Sequence, residues 1–180
     1  MRIHAQSIGL ATMIAMPAHA GGVVPAQIVG KFYAVHQRSS QDGVPNAKLR
    51  AKYEPYISPE LEKLLMEAAW AEARYARANP DSPPMVEGDL FSSNFEGITT
   101  FHVSGCSITR AAAQCRVQLH YAVQSPRPQD KPVDWTDTVT LMQAPSGWRI
   151  DNIAFGGKWA FGNHGAVKSV LKSVIADAGK

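Results

Sequence analysis

The sequence predicts an α+β domain whose helices pack on one face of an antiparallel sheet. Three observations carry that prediction. Apolar residues recur at helical spacing over 24–38 and again after Ser58. From Ile98 onward the rhythm changes to strict alternation, the signature of half-buried strands, through about four runs joined by turns. A last helical stretch over 166–178 closes the chain, and no internal repeat or low-complexity tract interrupts the order.

In the first helix Val24, Ile28, Phe32 and Val35 share a face, with Val29, Tyr33 and Ala34 beside them. Pro25 suits its first turn, where the missing N–H costs nothing. The turn formers of 39–45 end it. Ser58 then reads as an N-cap, Pro59 as the first helical residue, and Glu60 and Glu62 as first-turn acids of a long helix to about Ala78. Leu61, Leu64, Leu65, Ala68, Ala69, Glu72 and Tyr75 form its stripe, and Asn79-Pro80 stops it. The stretch 86–97 shows no clear period.

Phe101, Val103 and Gly105 alternate with Thr100, His102 and Ser104 in the first predicted strand. In the second, Cys115, Val117, Leu119, Tyr121 and Val123 alternate with Arg116, Gln118, His120 and Gln124. A loop over 125–132 leads to Val139 and Leu141, which alternate with Thr138 and Thr140. After the turn at Pro145-Ser146-Gly147, Trp148 and Ile150 fall out of phase with Ile153 and Phe155, so a bulge is expected around Asp151-Asn152. Gly156-Gly157 and Gly162 break the strand, and Val167, Val170, Leu171, Val174 and Ile175 mark one face of the final helix.

Residues 1–20 read as a signal peptide: a basic start at Arg2 and His4, an uncharged apolar run from Ile8 to Met16, and Ala18-His19-Ala20 before the cleavage point. That run is about half the ~20 residues needed to cross a bilayer, so no membrane span is expected. Residues 21–180 are then one domain, periplasmic or secreted. The whole chain carries a formal net charge of +3, too near neutral and too dispersed to indicate a nucleic-acid partner. Cys106 and Cys115 are the two cysteines, and in an oxidising compartment a disulfide is the default reading. A metal site is the alternative, but it needs more ligands than this pair, and no second Cys/His pair stands at matching spacing. No metal or cofactor is expected.

Val29-x-x-Phe32-Tyr33-Ala34, Tyr56-Ile57-Ser58-Pro59-Glu60-Leu61, Gly88-Asp89-Leu90-Phe91 and Gly147-Trp148-Arg149-Ile150-Asp151-Asn152-Ile153 together resemble the DUF3828 family of exported bacterial proteins. That family is similar to the NTF2-like, or cystatin-like, superfamily. The resemblance spans most of 24–155 and implies a strongly curved sheet wrapping a long helix as a cone. It implies no general activity. An open-mouthed cone makes Tyr33, Tyr53, Tyr56 and Trp148 candidates to line a pocket, Asp89 a candidate in the loop before the sheet, and His120 and Asp151, with Tyr121 as a donor, candidates for acid/base work. Packing is the ordinary role of the aromatics, and a solvated sheet face that of Arg116, Gln118, His120 and Arg149.

No phosphate loop, G-x-S-x-G elbow or H-E-x-x-H occurs. His120 and Tyr121 are neighbours on a strand, so they point to opposite faces and cannot share one cavity. The reading is therefore a non-catalytic binding module for an envelope protein, such as a periplasmic inhibitor or immunity protein. The alternatives are a pocket protein for a small apolar ligand and an acid/base enzyme using His120 or Asp151.

Overall fold

A computed structural model describes residues 24–39, 42–123, 131–160 and 162–178. The chain runs α1 (Pro25–Gln37), α2 (Ala47–Tyr53), α3 (Pro59–Ala78), β1 (Thr100–Ile108), β2 (Ala112–Tyr121), β3 (Val133–Ala144), β4 (Gly147–Ala154) and α4 (Val167–Asp177). This is the α+β class expected. The signal peptide assigned to 1–20 lies outside the described residues, as does most of the loop assigned to 125–132. Among the described residues no helix is long and apolar enough to cross a membrane.

Each helix begins where local chemistry allows it. Ser58 Oγ accepts the Leu61 amide at 3.0 Å and donates to Asp151 Oδ1 at 2.7 Å, so one hydroxyl caps α3 and ties it to β4. Leu61, Leu65, Ala68 and Ala71 form the buried stripe of α3, with Leu64 and Ala69 half-buried at its margins. The short helix α2 was not apparent from periodicity: only Leu49 and Tyr53 are buried, and Asn46 caps it through the Leu49 amide. Seven residues with two apolar contacts give too little period to read.

The four strands form an antiparallel meander in chain order. Its inner face carries Ala113, Cys115, Val117 and Leu119 of β2 and Val139 and Leu141 of β3, all buried. The outer face carries Gln114, Arg116 and Gln118 opposite Thr140, Thr138 and Thr136. A bulge between Val103 and Gly105 restores the phase of β1, so Cys106 pairs directly with Cys115 and the two form a disulfide. The bulge expected in β4 is present, with Asp151 as the extra residue between Ile150 and Asn152.

The outer edge of β4 is occupied: Ser58 N donates to Ile150 O, Ile150 N to Tyr56 O, and Phe155 N to Gly165 O. That leaves β1 as the open edge among the described residues.

Between helices and sheet lies an aromatic cluster. Phe32 meets Tyr53, Phe91 and Tyr33 at centroid distances of 5.0, 5.2 and 5.3 Å, and Tyr53 meets Phe91 at 5.1 Å. Full burial of each such ring contributes about 2 to 3 kcal/mol, with offset and edge contacts adding to it.

Candidate binding site

Two buried carboxylates organise the end of the domain where β2 runs out and β3 begins. The first is Asp89. Its Oδ2 lies 2.8 Å from His36 Nε2, and its Oδ1 accepts the Phe91 amide at 2.7 Å. His36 Nδ1 in turn pairs with the Tyr53 hydroxyl at 3.0 Å, so a polar chain Asp89–His36–Tyr53 runs through the aromatic core. Burial, and then the Asp89 charge, push the Tyr53 phenol well above its ordinary range. The fully buried Tyr33 is raised for the same first reason, then by Asp137 and Asp89. Its hydroxyl donates to Phe91 O at 3.3 Å.

The second carboxylate is Asp137, wholly buried on the inner face of β3 between Trp135 and Val139. It gathers Ser93 N at 2.9 Å, Gly156 N at 2.9 Å, Trp135 Nε1 at 3.2 Å and the Ser93 hydroxyl. Burial raises its carboxyl above the usual range, and the donors from Gly156, Ser93 and Trp135 oppose that rise. An acid on the apolar phase of a strand, Trp135-x-Asp137-x-Val139, is the signal the sequence carries for it.

These anchors fix two loops against each other. Asp89 N donates to Phe95 O at 2.7 Å, and glycine precedes it because φ there is 71° and a β-carbon would lie 2.3 Å from that oxygen. Asn163 Nδ2 donates to Asp89 O and Ser92 O, and Gly157 N donates to Ser93 Oγ at 2.9 Å. Backbone that irregular holds its shape only when each polar group finds a partner, and here the side chains of Asp89, Asp137, Ser93 and Asn163 supply them.

The frame presents Trp159. A β-carbon on Gly157 would sit 2.1 Å from Trp159 Cζ3, so the ring lies directly on that glycine, and its edge meets Trp135 at a centroid distance of 5.4 Å and 81°. Two neighbouring clefts share Trp159 and Val133 as walls. One, of about 390 Å³, adds Asp134, Trp135, Thr136 and Lys158. The other, of about 210 Å³, adds Phe95 and Glu96, and Phe95 is 44% exposed.

None of the six residues picked from the sequence lines either cleft, although Asp89 braces the loop that carries Phe95 and His120 touches the rim through Asp134. Tyr33 and Asp89 meet around His36 inside the core. Tyr56 and Trp148 are half-buried against the core, near the occupied edge of β4. Asp151 accepts from Ser58 and from Lys168 Nζ at 2.7 Å, and Lys168 also pairs with Glu60 at 3.1 Å. His120 pairs with Asp134 at 2.8 Å on the outer sheet face. Asp134 also lines the larger cleft, which makes His120 its neighbour. Among the described residues no group of His, Cys, Asp and Glu is placed to hold a metal ion. Comparison with protein-family models, with curated proteins and with solved structures finds no match for this chain.

Proposed function

We propose that the chain is an exported, non-catalytic binding domain and that its ligand occupies the clefts on either side of Trp159. The observation that supports this most is the cost of the arrangement. Two carboxylates are buried, and two irregular loops are fastened to them, where a plain strand and turn would pack more cheaply. The result is a fixed indole that walls two clefts, of which the larger, about 390 Å³, falls within the roughly 300 to 1,000 Å³ of small-molecule sites. The disulfide suits the oxidising compartment that the leader implies. The order of helices before an antiparallel meander supports the NTF2-like reading of the sequence.

An envelope protein is the second reading, favoured by the open edge of β1. That strand carries no charged residue, and Ile108 at its end is 55% exposed, so an extended segment has a free ladder to join. Against the acid/base alternative, His120 and Asp151 have different partners, Asp134 and the Ser58–Lys168 pair.

The test is thermal stabilisation of the oxidised protein by a panel of neutral, anionic and cationic small molecules. At least one class should raise the melting temperature of the wild type and not of Phe95→Ala or Trp159→Phe. A panel without effect, combined with capture of a protein partner that Val103→Pro abolishes, transfers the function to the β1 edge.

A further inference from the structure

We propose that the smaller cleft receives an alkylated ammonium group, an inference that rests on the binding reading above and names its ligand class. This cleft is lined by Phe95, Trp159, Val133, Asn94, Glu96 and Gly162, and its surface is almost wholly apolar. Glu96 is the one charged side chain among them, and it makes no ion pair among the described residues. Lys158 and the His120-paired Asp134 belong to the larger cleft on the other side.

That composition discriminates between guests. An anion finds no Lys or Arg among the described lining residues, and Glu96 opposes it. A neutral apolar group fills the space but strips water from Glu96 without replacing it. A bare ammonium needs acceptors for three N–H donors. Beside Glu96 the lining side chains offer only Asn94, whose Oδ1 already accepts the Glu96 amide at 3.3 Å and whose Nδ2 donates to Gly97 O at 3.4 Å, so three N–H donors are not all met by side chains. A methylated ammonium asks for none: its methyl groups pack on the rings and Val133, and its charge is drawn to the aromatic faces and to Glu96.

The walls are also held before any guest arrives. Phe95 O accepts the Asp89 amide, Gly97 N closes the turn onto Asn94 O at 3.0 Å, and Trp159 rests on Gly157. Little ordering is left to oppose binding.

The test titrates the oxidised protein with choline and, separately, with 3,3-dimethylbutan-1-ol, in which carbon replaces the charged nitrogen at the same shape. Binding is read from the indole N–H resonance of Trp159, assigned with Trp159→Phe. Choline should bind on the order of tenfold tighter than its neutral isostere, and Glu96→Gln should remove most of that preference. Phe95→Ala should weaken both. Because Phe95 and Glu96 are exposed, these variants keep the fold, and an unchanged melting temperature checks it. Phosphatidylcholine vesicles identify the source: co-sedimentation points to a lipid headgroup, and choline binding without it to a free solute. Equal affinity for the two compounds, or no response to choline, overturns the inference. The binding reading itself survives if other panel members still move Trp159, and falls with it if none does.

Discussion

Ser93 and Asp137, 44 residues apart in the chain, are joined twice: the Ser93 amide lies 2.9 Å from Oδ2, and the Ser93 hydroxyl donates to Oδ1. The same hydroxyl accepts the Gly157 amide, so one serine couples the carboxylate of β3 to the loop that carries Trp159. Asp137→Asn keeps the shape but turns an amide N–H₂ toward groups that are all donors. The expected loss is about 2 to 4 kcal/mol of stability, read as a lower denaturation midpoint, with the emission of Trp135 and Trp159 shifted to the red. An unchanged midpoint contradicts the anchoring role.

The buried phenols set the alkaline limit. Tyr33 and Tyr53 hold their protons in the fold beyond the ordinary value of 10.0. Below that pH both folded and unfolded chains are protonated, and these groups give stability no slope. Above it the unfolded chain releases protons that the folded chain retains, so stability falls as pH rises. Melting temperature should therefore drop steadily above about pH 10, and Tyr53→Phe should flatten the fall while losing the His36 contact. A curve equally steep in that variant removes Tyr53 from the account.

Much of the fold was legible because each element repeats one simple demand. The stripe of α3, the alternation of β2, the Ser58 cap and the β4 bulge all follow from burying one face, and burial leaves a period in the sequence. The cleft was not legible, because its parts have no period. Phe95, Glu96, Lys158 and Trp159 sit on loops whose position depends on Asp89 and Asp137 across long stretches of chain. Tyr33 and Asp89 were attractive as pocket residues because their motifs stand out. The structure shows why they do: one fills the core, and the other holds His36.

Gly157→Ala isolates the seat of Trp159. The added β-carbon meets the ring at 2.1 Å and Ser93 Cβ at 2.7 Å, so the indole must leave its place. Ligand-induced stabilisation should vanish, with about 1 to 3 kcal/mol of stability lost to overpacking. Gly30→Ala is the control. Nothing lies within 4 Å of its β-carbon in mid-α1, and the change should stabilise by roughly 0.4 to 1 kcal/mol.

The Cys106–Cys115 bridge closes a loop of sequence separation 9 at the β1–β2 hairpin, whereas Trp159 lies near the opposite end of β2, where Tyr121 pairs with Val133. Replacing both cysteines by alanine should cost about 2 to 3 kcal/mol and leave ligand affinity unchanged. A parallel loss of affinity means that the two ends are coupled in a way these contacts do not provide.

The claim on which the function rests is that half-buried Trp159, rather than an exposed aromatic such as Trp70, marks the binding surface. The four tryptophans, Trp70, Trp135, Trp148 and Trp159, give four indole N–H resonances that a single titration with the small-molecule panel follows together. The account predicts that Trp159 moves furthest, its neighbour Trp135 moves with it, and Trp70, 60% exposed on α3, stays still. Movement of Trp70 while Trp159 remains fixed contradicts it.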